Sequence, residues 1–189
     1  VNLSRRALPN LVTGVRLALL PVLWLLALLG HTTALGWLLL LAWVTDVLDG
    51  FLARRLRVTS RRGSRLDTVA DHLLLVSMLA WVLMLEPGFV REQAWVLGLI
   101  VLFWAASLVA VWIRFRRFAD LHLYSSKAGV FAAVVFTIHL LIAADYSILF
   151  FYLAGGICLL AAIESLAVVL LRDEVDEHIG SILRRDRSR

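Results

Sequence analysis

The stretch "DVLDGFLARRLRVTSRRGSRLDTVAD", residues 46–71, sets four aspartates and six arginines at the junction of two strongly apolar runs. Asp46 and Asp49 stand three apart near the end of the first run, and Asp67 and Asp71 four apart at the start of the second. On a helix either spacing puts both side chains on nearly one face, so two antiparallel helices could bring all four carboxylates together. Ionised carboxylates in apolar surroundings are costly without partners. A divalent cation of the Mg²⁺ type would compensate them, because it prefers carboxylate and phosphate oxygens and keeps part of its water. Two carboxylate pairs could hold one or two such ions and leave positions for a pyrophosphate.

Between the pairs, the residue types suit a phosphate site. Gly50 and Ala53 leave room for a ligand to approach the helix backbone. Arg54 offers a planar fork to phosphate oxygens, and Ser60 can donate a hydrogen bond to a phosphate or a sugar. A loop is expected from Arg55 to Arg65, with Gly63 permitting a close turn and Ser64, three residues before Asp67, capping the next helix. Taken singly, these residues have plainer readings. The arginines fit a cationic anchor on a cytoplasmic loop, and Asp67 with Asp71 fits a capped helix start paired with Arg. Their combined spacing is what argues for a site.

Outward from this stretch the chain is far too apolar for a soluble domain, at 61% hydrophobic residues and a mean hydropathy of +0.88 against an apolar share of roughly 45 to 50%. About 20 apolar residues cross a hydrocarbon core roughly 30 Å thick. Six such runs can be placed, near residues 10–30, 33–53, 66–86, 92–113, 127–145 and 146–171. The expected fold is an all-α integral membrane protein of six transmembrane helices: one domain over residues 1–172 and a charged cytoplasmic tail over 173–189.

Cationic residues orient it, because Lys and Arg are retained in cytoplasmic loops. Of the 19 present, only Arg91 lies on an odd-numbered connection; the others cluster at the N-terminus, between spans two and three, between spans four and five, and in the tail. Both termini are therefore expected in the cytoplasm. No small-x-small cleavage site follows Leu29, so the first span reads as retained rather than as a leader. A lone Cys158 excludes a disulfide framework and a Cys-based metal site. The net charge of +5 suits anionic headgroups and phosphate-bearing substrates, while no nucleic-acid recognition motif is present.

Written as D-x2-D-G-x2-A-R-x8-G-x3-D-x3-D, residues 46–71 match the signature of the CDP-alcohol phosphatidyltransferase family at its eight fixed positions. The chain resembles that family also in its six-span layout and in "LPNLVTGVR", residues 8–16. The resemblance implies transfer of a phosphatidyl group from CDP-diacylglycerol to an alcohol with release of CMP, in the cytoplasmic membrane, with the active site facing the cytoplasm. It implies Asp46, Asp49, Asp67 and Asp71 as ligands of Mg²⁺ or Mn²⁺, with Asp71 also the general base. Gly50, Ala53, Arg54, Ser60 and Gly63 would line the CDP site, Arg54 on the pyrophosphate. Asn10, Thr13 and Arg16, repeating every three residues along one face, would close the nucleotide pocket, although Asn10 could equally be an N-cap. A homodimer is the family's frequent assembly.

The acceptor is read from "RFRRFADLHLYSSKAG", residues 114–129. Arg114, Arg116, Arg117 and Lys127 suit a phosphorylated alcohol, since fixed cations can hold a phosphate dianion, and relatives that use such acceptors carry basic residues here. Glycerol 3-phosphate is the first choice, giving phosphatidylglycerol phosphate; inositol phosphate, inositol, serine and phosphatidylglycerol are alternatives. The plainer reading of these cations is again the cytoplasmic anchor. His72 stands where many relatives have Lys. Glu164, inside the last span, is either a site residue or a partner within the bundle. Trp37, Trp81 and Trp95 are expected in the outer aromatic belt, and Gly129 with Ala133 and Gly155 with Gly156 at close helix contacts. An ion-coupled transporter is the rival of another class, but the carboxylates lie toward one side and no broken mid-membrane helices are evident.

Overall fold

Prolines stand only at 9, 21 and 87, so long stretches rich in Leu, Ala and Val meet nothing that interrupts a helix. The computed structural model describes residues 14, 18–55, 61–115, 124–143 and 145–171; the side chains of 46, 48–55, 61–68 and 115 lie outside that description. Among the described residues the chain is all-helical: α1 (Ala18–Leu28), α2 (Thr32–Arg55), α3 (Arg61–Leu85), α4 (Pro87–Glu92), α5 (Ala94–Phe115), α6 (Tyr124–Ala143) and α7 (Ile148–Leu171). Three are long and apolar enough to cross a membrane, within Ala94–Arg114, Tyr124–Ala143 and Ile148–Leu171. Shorter apolar helices cover Ala18–Leu28, Thr32–Thr45 and Val69–Leu85. Many large apolar side chains point outward, Leu28, Leu102, Ile113, Leu149 and Leu160 among them, as befits helices solvated by lipid.

The turn between α1 and α2 is made by glycine. Gly30 has φ +73°, its N–H donates to the Ala27 carbonyl, and the His31 N–H donates to that of Leu26, both at 3.0 Å. That pair of bonds satisfies carbonyls at the end of α1 and requires a left-handed residue.

The chain divides into two compact units, Val1–Pro87 with Thr137–Asp145, and Gly88–Phe136 with Tyr146–Arg189. In the first, Trp24 of α1 packs edge-on against Trp81 of α3, ring centroids 5.8 Å apart, and its indole N–H donates to the Ser77 hydroxyl at 3.1 Å. The start of α2 meets the end of α6 so closely that a Cβ on Gly36 would lie 2.6 Å from Ile142 Cγ1.

In the second unit α5 and α7 run parallel. Gly155 lies against Val96 and Ile100 near the start of α5, and Arg114 at its end reaches Val169 and Leu170. α6 is antiparallel to α7: Gly129 faces Cys158 and Ala161, while Phe136 meets Phe150 and Phe151. The expected close contacts at Gly129 and Gly155 are thus present within the chain, whereas a Cβ on Gly156 would meet open space. Cys158 donates its thiol hydrogen to the Gly129 carbonyl at 3.3 Å. Phe89, Phe136, Tyr146 and Phe151 form an aromatic cluster at the α4 end of this unit. There the Tyr146 hydroxyl donates to Glu92 and accepts from the Gln93 amide.

Three expectations are corrected. Trp81 is fully buried against Trp24, not a belt residue, whereas Trp37 and Trp95 are exposed. The loop expected from Arg55 to Arg65 does not include Arg55 or residues 61–65, which belong to α2 (Thr32–Arg55) and α3 (Arg61–Leu85). Gly63 and Ser64 therefore lie inside α3 and neither turns nor caps it; arginines are good helix formers, and one glycine costs a helix only about 1 kcal/mol. Pro87 and Gly88 open α4 just after α3, proline being suited to a first helical position.

Candidate active site

The motif is carried by the end of α2 and the start of α3, both within the first unit. α2 holds Asp46, Asp49, Gly50, Ala53 and Arg54, and α3 holds Gly63, Asp67 and Asp71. Both aspartate pairs fall within continuous helix, Asp46 and Asp49 in α2 and Asp67 and Asp71 in α3. Arg54 and Arg55 are the last two residues of α2 (Thr32–Arg55). Asp71 and His72 are half-buried and each is engaged by other groups. The side chains of Asp46, Asp49, Ala53, Arg54 and Asp67, and the surroundings of Gly50 and Gly63, lie outside the described residues, as do Asn10, Thr13, Arg16 and Ser60 altogether.

Four carboxylates and no thiol or imidazole among the motif's aspartate pairs make an all-oxygen donor set. Such a set fits a hard divalent cation of the Mg²⁺ or Mn²⁺ type and not a site for soft metals. Asp46, Asp49, Asp67 and Asp71 are the residues that would hold it.

The basic segment is described at its two ends, while Arg116 and Arg117 lie outside the described residues. Arg114, in the last turn of α5, donates through Nη1 to the carbonyls of Val169 at 2.7 Å and Leu170 at 3.3 Å. Those carbonyls belong to the C-terminal end of α7 (Ile148–Leu171). The sequence offers Arg114 as an acceptor ligand or a cytoplasmic anchor; its hydrogen bonds to α7 depend on the parallel pairing of α5 with α7, which no local pattern reveals. Lys127 is exposed in the first turn of α6. Two residues earlier, the Ser125 hydroxyl is enclosed with no hydrogen-bond partner among the described residues. Sequence reading passed over it, though a hydroxyl and a cation at a helix start are a signal for an anion. Glu164 is half-buried in α7 and engaged by other groups.

Residues 6–171 match the CDP-alcohol phosphatidyltransferase family. The chain belongs to that family. A Mycobacterium tuberculosis protein provisionally named a cardiolipin synthase is 30% identical over 139 residues, covering 67% of this chain and 60% of that protein. A Pseudomonas fluorescens protein named CDP-diacylglycerol–glycerol-3-phosphate 3-phosphatidyltransferase is 39% identical over 84 residues, 43% of each chain. One of the same name from Rickettsia typhi is 39% identical over 71 residues, 36% of this chain and 40% of that one. The chain thus spans 60% or less of the length of these family relatives. No solved structure gives a significant match.

Proposed function

We propose that the chain is a six-span phosphatidyltransferase of the cytoplasmic membrane that joins CDP-diacylglycerol to glycerol 3-phosphate, yielding phosphatidylglycerol phosphate and CMP. The observation that carries this is the complete eight-position motif, borne on two helices of a chain that matches the family over residues 6–171. Two relatives named for glycerol 3-phosphate transfer and the basic segment around Arg114, Arg116, Arg117 and Lys127 support the acceptor.

The alternating direction of these crossings draws support from the contacts. Under strict alternation α5 and α7 cross in one direction and α6 in the other, as their parallel and antiparallel pairings require. The same alternation puts the start of α2 and the end of α6 on one side, where Gly36 meets Ile142. It also puts the ends of α1 and α3 together, where Trp24 meets Trp81.

The acceptor hydroxyl attacks the β-phosphorus of CDP-diacylglycerol, the new P–O bond replacing the bond to CMP, which departs with its electron pair. Asp71 takes the hydroxyl proton, a role its half-burial supports by limiting its contact with water. Arg54 holds the pyrophosphate oxygens in its planar fork and offsets charge that grows on the departing phosphate. Asn10, Thr13 and Arg16 close on the nucleotide, and Gly50 and Ala53 let it approach the α2 backbone. A divalent cation held by the four aspartates supplies further charge neutralisation at the phosphates. Lys127, the Ser125 hydroxyl and the arginines of the basic segment receive the acceptor phosphate.

Phosphatidylglycerol as acceptor, giving cardiolipin, is a second reading favoured by the longer alignment with the mycobacterial relative. Incubation of the purified chain with CDP-diacylglycerol and each acceptor, with mass spectrometry of the lipid product, separates them. Phosphatidylglycerol phosphate is expected; cardiolipin would favour the second reading, and no new lipid with either would contradict both.

A further inference from the structure

Thr45 is the last residue of α2 before the first aspartate, and its hydroxyl turns back along the helix. Oγ1 stands 2.8 Å from the Ala42 carbonyl oxygen and 3.0 Å from that of Leu41. In an α-helix the Ala42 carbonyl is also the acceptor of the Asp46 N–H, and the Leu41 carbonyl that of the Thr45 N–H. One hydroxyl proton therefore competes for the two carbonyls that hold the backbone where the apolar part of α2 gives way to its carboxylates. Back-bonding of this kind loosens the helical ladder and bends the helix.

Packing does not explain the residue. Thr45 is exposed, and Val44 and Val47 beside it are exposed as well, so a valine of the same shape would suit the surroundings at least as well. Position 45 is distinguished instead by the residues it carries. Asp46, Asp49, Gly50, Ala53 and Arg54 all ride on the ten residues from Asp46 to Arg55. Ten helical residues extend roughly 15 Å, so a bend of about 5° at their base moves the far end by about 1 Å, a displacement that can cost on the order of a hundredfold in rate.

We infer that Thr45 is a positioning residue for the carboxylate half-site of α2: its back-bonded hydroxyl sets the angle at which that helix presents Asp46 and Asp49. The inference rests on reading those aspartates as ligands of a divalent cation. Ser107 provides an internal control, since its hydroxyl also donates backward along a helix, to the Trp104 carbonyl at 2.8 Å, in a segment that carries none of the motif.

The test measures Mn²⁺ binding to the purified full chain by the paramagnetic resonance of free Mn²⁺, and in parallel the Mg²⁺ dependence of CMP release. Thr45→Val and Thr45→Ala are each expected to weaken Mn²⁺ binding about tenfold and to raise the Mg²⁺ requirement similarly, the scale of effects transmitted through groups that orient metal ligands. Thr45→Ser, which restores the hydroxyl, returns both close to the wild-type values, and Ser107→Ala leaves both unchanged. Wild-type affinity in both hydroxyl-free variants would overturn the inference. So would divergence of Val from Ala, which would show that bulk and not the hydroxyl matters. A wild-type chain that binds no Mn²⁺ would instead defeat the underlying metal reading.

Discussion

Asp71 is the motif residue at which sequence, structure and chemistry meet most closely, being half-buried on α3 four residues after Asp67. Exchange of Asp71 for Asn keeps the shape and removes the base. CMP release is expected to fall by at least about a hundredfold, the lower end of what general-base catalysis contributes, while CDP-diacylglycerol binding persists. Turnover at the wild-type rate would end the assignment of Asp71 as the base. Gly36 makes a different kind of demand. A methyl group there would stand 2.6 Å from Ile142 Cγ1 and 3.2 Å from Leu141 Cβ, and the branched side chain on a packed helix has little freedom to retreat. Gly36→Ala should therefore destabilise the chain by about 1 to 3 kcal/mol, read as a lower unfolding temperature in detergent. An unchanged temperature would show that α2 and α6 can part at no cost. Such a contact is illegible in sequence, because Gly36 and Ile142 are more than a hundred residues apart and neither belongs to a local pattern.

At the scale of elements, the helices were legible wherever hydropathy alone decides, and their ends were not. Apolar runs predicted α2, α5, α6 and α7 to within a few residues, since leaving backbone groups unpaired in lipid is so costly that an apolar run of that length must be helical. The start of α3 was misjudged because a glycine flanked by arginines reads as a turn, yet it is tolerated inside a helix when its neighbours favour one. α4 is illegible because six residues are too few to show a helical period, and a proline marks a helix start as readily as an end. Trp81 was misplaced because composition cannot tell an interfacial indole from one stacked on Trp24.

Two contacts that join elements can be tested. Arg114→Ala removes the donor to the Val169 and Leu170 carbonyls of α7 and is expected to cost about 1 kcal/mol of stability. Unaltered stability with a raised KM for glycerol 3-phosphate would assign Arg114 to the acceptor instead. Tyr146 ties the α6–α7 connection to α4, and its hydrogen bond to Glu92 raises its pKa above the ordinary 10.0. A raised pKa means that the stabilisation is complete below pH 10.0 and is lost as pH climbs through the folded-state value. Unfolding curves from pH 8 to above 10 should therefore show a loss of stability that Tyr146→Phe abolishes; an identical alkaline loss in the variant would place its origin elsewhere.

For the whole molecule, the carboxylates make sense where they stand only if something cationic joins them. The family signature was legible because eight spaced positions constrain residue type far more than hydropathy does, and those positions lie on helices α2 and α3. The identity of the acceptor was far less legible, since cations that recognise a phosphate and cations that anchor a cytoplasmic loop have the same composition. Phosphatidyl transfer dependent on a divalent cation is the central claim, and CMP release from CDP-diacylglycerol by the purified chain, in Mg²⁺ and again in EDTA, tests it most directly. Release that requires both glycerol 3-phosphate or phosphatidylglycerol and Mg²⁺, and that stops in EDTA, is the predicted result. Release undiminished by EDTA, or no release with any alcohol acceptor, would contradict it.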